Sequence, residues 1–197
     1  MVDSMDTKKK HIITIAGRPG SGKSTTAKAV AAELGFDHYS SGDLFRALAK
    51  ERGIDVLQAN FSAEQNTEID HLVDNRLQDI NAHDDHKVID ARTAWHWIPR
   101  SFKVFLDLDL EVAAERILNN MDDERLASEH VHRDPVEYAA LLQSRLDSES
   151  RRYKALYDID PYDLSNYDLV IDTEANSLAQ VSEIVLQGFK DWIDLQS

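Results

Sequence analysis

The chain has no cysteine among its 197 residues, which excludes a disulfide framework, a thiol nucleophile and any cysteine-based metal site. That fits a reducing compartment. No apolar run is long enough to span a bilayer, and residues 1–10 lack the apolar segment of a signal peptide. Lys8–Lys10 reads as a solvated lead-in to the first strand. Basic residues are in short supply: 22 Lys and Arg stand against 36 Asp and Glu, a formal net charge of −14. Such a surface repels nucleic acid and anionic membrane over most of its area. These absences predict a soluble, cytoplasmic protein with neither nucleic acid nor membrane as partner; a monomer is expected, though no sequence feature fixes the oligomeric state. Any anionic ligand must be met by locally concentrated Arg and Lys, so the positions of the arginines are informative.

What is present is an alternation of apolar runs with helical patterns, which argues for a single α/β domain over residues 1–197 with a largely parallel sheet. Strands are expected at His11–Ala16, Asp37–Ser40, Lys87–Ile89, Lys103–Leu106 and Leu169–Ile171. Helices are expected at Lys23–Leu34, Ser41–Arg52, Ala63–Ala82, Leu110–Asn120, Pro135–Tyr157 and Ser177–Leu195. Gly35 and Gly53 stop the first two, and Pro135 suits a first helical position. Two stretches look inserted into a minimal sheet: residues 41–82 and the charged, weakly patterned segment from Met121 to about Arg133. Closing lids and plain solvated loops both look like this.

Glycine is sparse, seven in all, yet Gly17, Gly20 and Gly22 fall together in Gly17-Arg-Pro-Gly-Ser-Gly-Lys-Ser24. The stretch follows a strand and opens a helix, the context a phosphate-binding loop requires. The glycines let the backbone turn, past Pro19, so that the successive N–H groups from Gly20 and Ser21 on to Thr25 converge on phosphate oxygens. Lys23 adds a point charge for the outer phosphates, and the Ser24 hydroxyl suits Mg²⁺. The signal points to ATP-type ligands. Guanine-specific switches need Asn-Lys-x-Asp, which is missing, and ATPase motors need a longer chain. A short chain with two insertions and many arginines points to a small kinase. Arg18, inside the loop, is expected to face solvent without a role.

Three further stretches supply acceptor-side chemistry. In Ser41-Gly-Asp43-Leu-Phe-Arg46, Ser41 is placed to cap a helix, and Arg46 to grip a second phosphate or simply to sit on the surface. Lys87-Val-Ile-Asp90-Ala-Arg92 puts a carboxylate at a strand's C-terminal end, where it meets a hydrated Mg²⁺ or caps a turn. Arg92, two residues on, can reach a transferring phosphate. On the long helix, Arg145, Glu149 and Arg152 fall at i, i+4 and i+7, on one face. That face is either a phosphate and base contact or a salt-bridged solvated surface. The segment His83-Asp-Asp-His86 reads as a solvated turn rather than a metal site.

Together these pieces resemble a nucleoside monophosphate kinase, and most of all the short archaeal-type cytidylate kinases. Ser41-Gly-Asp43-x-x-Arg46 is similar to an acceptor-site element shared by adenylate and cytidylate kinases. The tail from Arg152 to Thr173, "RYKALYDIDPYDLSNYDLVIDT", is the most specific match, and the resemblance runs from about Ile12 to the last helix. It implies the P-loop kinase three-layer α/β/α sandwich, with five parallel strands in the order 2-3-1-4-5. It implies an acceptor-binding insertion at 41–82 and a lid at about 121–133. By the same resemblance Arg46 and Arg92 hold the acceptor phosphate, and Ser41 and Asp43 bind the substrate. Arg145 and Arg152 neutralise transferring and acceptor phosphates, Glu149 faces the cytosine amine, and Arg116 stacks on adenine. Arg125 and Arg133 are phosphate contacts of the lid, and Asp90 orients the Mg²⁺ hydration shell.

The chain departs from the family in having Ala91 where glycine is usual, followed by the bulky Thr93-Ala-Trp95-His-Trp97-Ile98. The two tryptophans either plug the core beneath the acceptor segment or reshape the base pocket. The implied activity is transfer of the ATP γ-phosphoryl group to CMP or dCMP with Mg²⁺. A small-metabolite kinase on the same fold and a non-catalytic nucleotide-binding module are the alternatives.

Overall fold

A computed structural model describes residues 10–51, 68–121 and 132–195; within these ranges the side chains of residues 45, 46, 48–50, 68 and 69 are not described. The expected helix start at Ala63, the stop at Gly53, Arg125, most of the 121–133 segment, and Lys8 and Lys9 lie outside the described residues.

Five parallel strands form one sheet: β1 (Ile12–Gly17), β2 (Asp37–Ser40), β3 (Lys87–Asp90), β4 (Phe102–Asp107) and β5 (Leu169–Asp172), in the order β2-β3-β1-β4-β5. This is the expected order. β1 lies at the centre, and its sequence IITIAG, buried at all six positions, is what a strand covered on both faces requires. On one face α1 (Lys23–Leu34) and the last helix (Leu178–Asp194) bury Ala27, Val30, Val181, Val185 and Phe189 against Ile13, Val104 and Leu106. On the other, α3 (Glu68–His83) lays Leu77 and Ile80 on Ile12 and Ile89. Each such side chain, fully removed from water, contributes on the order of 2 kcal/mol. A third cluster joins α5 (Leu110–Asn119) to α6 (Pro135–Tyr157) through Ala113, Leu118, Tyr138 and Leu142, and so fixes the long helix over the sheet edge.

Helix boundaries follow local chemistry. Asp109 and Asp134 cap α5 and α6 through their carboxylates, and Pro135 opens α6. Ser177 and Gln180 form a reciprocal capping box at the start of the last helix. Gly35, at φ 66, ends α1. The cap of α2 (Ser41–Glu51) differs from expectation: the Ser40 hydroxyl accepts from the Asp43 amide, so Ser40, not Ser41, is the cap. Two elements escaped the sequence pattern, the four-residue helix α4 (Ala94–Trp97) and a 3₁₀ turn at Leu164–Asn166. Both are shorter than the window over which a helical period shows. The last helix is therefore α7. Among the described residues no helix is long and apolar enough to cross a membrane.

Because all strands run one way, the C-terminal ends of β1, β2, β3 and β4 bring Gly17, Ser40, Asp90 and Asp107 to one edge. That edge is where an open parallel sheet binds ligands.

Candidate active site

The loop after β1 is shaped for an anion. Gly20 and Gly22 adopt φ 72 and 82, and Gly22 stands at the start of α1 with no side-chain cap. The first amides of α1 therefore have no intrahelical acceptor and face outward with the positive end of the helix. Ser21 Oγ and Lys23 Nζ both donate to the Arg18 carbonyl, each at 2.8 Å, which closes the loop on itself. Burial, then the neighbouring Arg92, pulls the Lys23 ammonium down to about 8, against the opposing pull of Asp90 and Glu149. Cations crowded beside one lysine mark a place built for added negative charge. Arg18 does not simply face solvent as expected: its Nε donates to Asp107 Oδ1 at 2.6 Å, tying the loop to the end of β4.

Asp90, at the end of β3, is buried and receives hydroxyls from two directions. Ser24 Oγ donates to its Oδ2, and Ser40 Oγ lies 3.4 Å from the same oxygen. Ser41 Oγ donates to the Asp90 backbone carbonyl at 3.2 Å. Asp43 sits exposed in the first turn of α2, and Arg46 lies on the same helix with its side chain outside the described set.

The arginine-rich face of α6 is solvated at Arg145 but closed at Glu149. Glu149 is only 5% exposed, with Arg92 Nε 2.9 Å from its Oε2. Its Oε1 accepts from Arg145 Nε at 3.0 Å, and its Oε2 accepts from the Tyr162 hydroxyl. Burial alone would raise the Glu149 pKa, but Arg92 and Arg145 bring it below the usual glutamate value. Arg152, one turn on, pairs with Asp70 of α3 at 3.5 Å. So Arg92, Arg145 and Glu149 are brought together, and both Glu149 oxygens are already engaged. That geometry makes Glu149 the counter-ion of two arginines.

Asp74, also buried, explains the tryptophans. Its Oδ1 accepts from Trp97 Nε1 at 2.8 Å and from Thr93 Oγ1 at 3.5 Å, and its Oδ2 accepts from the Tyr157 hydroxyl. Trp97, partly buried, packs against the cluster that holds Leu77, Ile80 and Ile98, so of the two alternatives it takes the core-plugging one. Trp95 lies edge-on to His96 and Tyr167. Trp97→Phe keeps the ring but leaves one donor missing on a buried carboxylate. It is expected to cost about 2 kcal/mol in urea denaturation, and a change within 0.5 kcal/mol would show the bond to be without weight.

On the other side of the loop, Arg116 Nη2 donates to the Thr173 carbonyl at 2.9 Å, while Thr173 Oγ1 donates to Asp107 O at 2.9 Å. Arg133 reaches the carbonyls of Leu118 and Met121 at 3.4 and 3.2 Å, at the end of α5. A groove of about 1,090 Å³ runs along α7 and α1 at the other end of the strands and gathers none of the loop or arginine residues. At that same far end His11 and His86 stack at 4.9 Å, with Asp85 Oδ2 3.4 and 3.7 Å from their Nδ1 atoms. The expected solvated turn at 83–86 is there, but with a third side chain, His11, added from the neighbouring strand.

Sequence reading did not single out Asp70, Asp74, Tyr157 or Tyr162 as site residues. A signal existed for the first two. Asp70 and Asp74 lie on the stripe of α3 that also carries Val73, Leu77 and Ile80, where acids are not expected without partners.

A five-stranded parallel sheet in this order, a glycine loop opening α1 and a buried carboxylate at the end of β3 define a P-loop kinase. Solved structures of that class share the fold: a shikimate kinase from Bacteroides thetaiotaomicron (TM-score 0.61, 15% identity, 93% of this chain and 98% of that one) and a gluconokinase from Sinorhizobium meliloti (TM-score 0.60, 18% identity, 96% and 97%). Residues 12–175 match the model of the cytidylate kinase-like family, and the chain belongs to that family. Among its relatives are cytidylate kinases of Haloarcula marismortui, 40% identical over 82% of this chain and 80% of the relative, and of Methanothrix thermoacetophila, 40% identical over 82% and 88%.

Proposed function

We propose that the protein transfers the γ-phosphoryl group of ATP to CMP or dCMP, giving ADP and CDP or dCDP. The observation that carries this reading is the buried Glu149 carboxylate holding Arg92 and Arg145 beside the loop lysine, in a chain whose relatives are cytidylate kinases. A donor alone needs the loop. A second arginine centre across from it suits a second, acceptor phosphate, and phosphoryl transfer is mostly a matter of positioning and charge neutralisation.

In this reading the amides from Gly17 to Thr25 and the Lys23 ammonium hold the ATP phosphates. Arg116 lies against adenine. Arg92 and Arg145, aimed by Glu149, meet the transferring and acceptor phosphates, with Ser41, Asp43, Arg46 and Arg152 completing the acceptor side. Residues 41–82 form the acceptor-binding insertion and residues 121–133 the lid. The Ser24 and Ser40 hydroxyls gathered on the Asp90 carboxylate form an all-oxygen donor set that suits Mg²⁺. When bound, Mg²⁺ neutralises charge on the β- and γ-phosphates; Ser24 and Asp90 would hold it.

Coupled ADP release with ATP and each ribo- and deoxyribonucleoside monophosphate in turn tests the reading. The expected result is turnover of CMP and dCMP well above that of AMP and GMP. Turnover of a sugar acid but of no nucleotide would favour the small-metabolite alternative, and ATP binding without any ADP release would favour a regulatory module.

A further inference from the structure

Among the described residues four carboxylates are buried: Asp70, Asp74, Asp90 and Glu149. Three are filled with donors. Asp74 takes Trp97, Thr93 and Tyr157, Asp90 takes Ser24 and Ser40, and Glu149 takes Arg145 and Tyr162. Asp70 differs. It is 7% exposed, its Oδ2 is shielded from solvent, and no hydrogen bond reaches that oxygen. Its one charged partner is Arg152, whose Nε stands 3.5 Å away, is equally shielded, and is not aligned to donate. The Arg152 guanidinium otherwise meets Tyr153, lying 5.0 Å over its ring with Nη2 at 3.4 Å from its hydroxyl. Asp70 Oδ2 and Arg152 Nε are thus taken out of water without a hydrogen bond, an arrangement that costs stability unless a ligand completes it.

The place is as telling as the vacancy in bonding. Asp70 comes from α3, in the segment inserted between β2 and β3, and Arg152 lies one turn beyond Glu149 on α6. The pair therefore adjoins the phosphate-facing arginines on the acceptor side. One turn along α3, Asp74 ties Trp97 and Tyr157 into an aromatic wall.

We propose that Asp70, aligned by Arg152, reads the pairing edge of the acceptor base, the carboxylate taking the 4-amino group of cytosine. This rests on the cytidylate kinase reading above. Cytosine presents a donor at N4 followed by acceptors at N3 and O2, and a carboxylate beside a guanidinium presents an acceptor followed by donors. Uracil would turn its O4 acceptor toward the carboxylate and leave two acceptors facing each other. Glu149 is thereby freed from base reading and keeps its part as the counter-ion of Arg92 and Arg145.

The test compares kcat/KM of the full chain for CMP, UMP and dCMP, in the wild type and in Asp70→Asn. The amide can turn its NH₂ toward O4, so the CMP-to-UMP ratio is expected to fall about 10- to 100-fold, while the CMP-to-dCMP ratio holds. Equal losses on CMP and UMP would overturn the proposal, leaving Asp70 as a structural partner of Arg152. A change in the CMP-to-dCMP ratio alone would also overturn it, in favour of ribose contact. If Asp70→Asn does not fold, Asp70→Ser reads the same ratios with a smaller neutral side chain. Glu149→Gln is the contrast, expected to slow CMP and UMP alike. A wild type inactive on both pyrimidine nucleotides defeats the cytidylate kinase reading itself, whereas an active one with unchanged Asp70→Asn ratios defeats this proposal alone.

Discussion

Replacing Lys23 with alanine is expected to lower kcat/KM for CMP phosphorylation by about 1,000-fold while the melting temperature stays within a few degrees of wild type. Lys23 is the first residue of α1, and its ammonium makes one hydrogen bond, to the Arg18 carbonyl. Little of the core depends on it. Its value is electrostatic: burial and Arg92 hold its pKa down in the unliganded site, and phosphate oxygens arriving beside it favour the charged form again. The interaction is therefore stronger in the transition state, where charge shifts onto the bridging oxygens, than in the empty loop. Coupled ADP release gives the rate and a thermal melt checks the fold. Turnover within threefold of wild type would remove Lys23 from the mechanism.

The sequence was most legible where one strong local rule governs. The loop from Gly17 to Ser24 has every fixed position, and the strands on either side of it are plain apolar runs, so β1 and α1 were placed nearly to the residue. Helix α6 was equally clear, because Pro135 announces its start. The sheet order came from family resemblance rather than from any pattern in the chain, since nothing local dictates which strand neighbours which.

Side-chain partners were the least legible part. The i, i+4, i+7 spacing correctly put Arg145, Glu149 and Arg152 on one face. It could not say that Arg92 would arrive from beyond β3 and Tyr162 from beyond α6, both at Oε2 of Glu149. Arg18 was misjudged for the same reason, as its partner Asp107 is 89 residues away. The tyrosines of the tail were visible as a motif but not as hydroxyls: Tyr157 and Tyr162 each close a buried carboxylate, and Tyr167 bonds the Pro161 carbonyl at 2.7 Å. The tail is specific because the acids it serves are scattered along the chain.

Gly17→Ala should be the most damaging single-methyl change in the protein, and for a reason separate from phosphate. Gly17 is the last residue of β1, in register with Leu106 of β4, and adopts φ 150. A Cβ there would stand 2.2 Å from the Leu106 carbonyl oxygen and 2.9 Å from its nitrogen. Those are backbone atoms, and the same carbonyl accepts from the Arg18 amide at 3.1 Å. Since β1 pairs with β3 on one side and β4 on the other, neither strand can withdraw without breaking the centre of the sheet. The expected cost is at least about 4 kcal/mol, a large part of the stability of an ordinary domain. It should appear as a drop in Tm of roughly 10 °C or more or as failure to accumulate soluble protein. Gly22→Ala is the informative contrast: its φ is 82, but a Cβ there meets nothing within 4 Å. Only the left-handed backbone penalty of about 1–2 kcal/mol applies, so that variant should fold and lose ATP affinity instead. If urea denaturation placed Gly17→Ala within 1 kcal/mol of wild type, the close approach of β1 to β4 would not be what fixes the mouth of the loop.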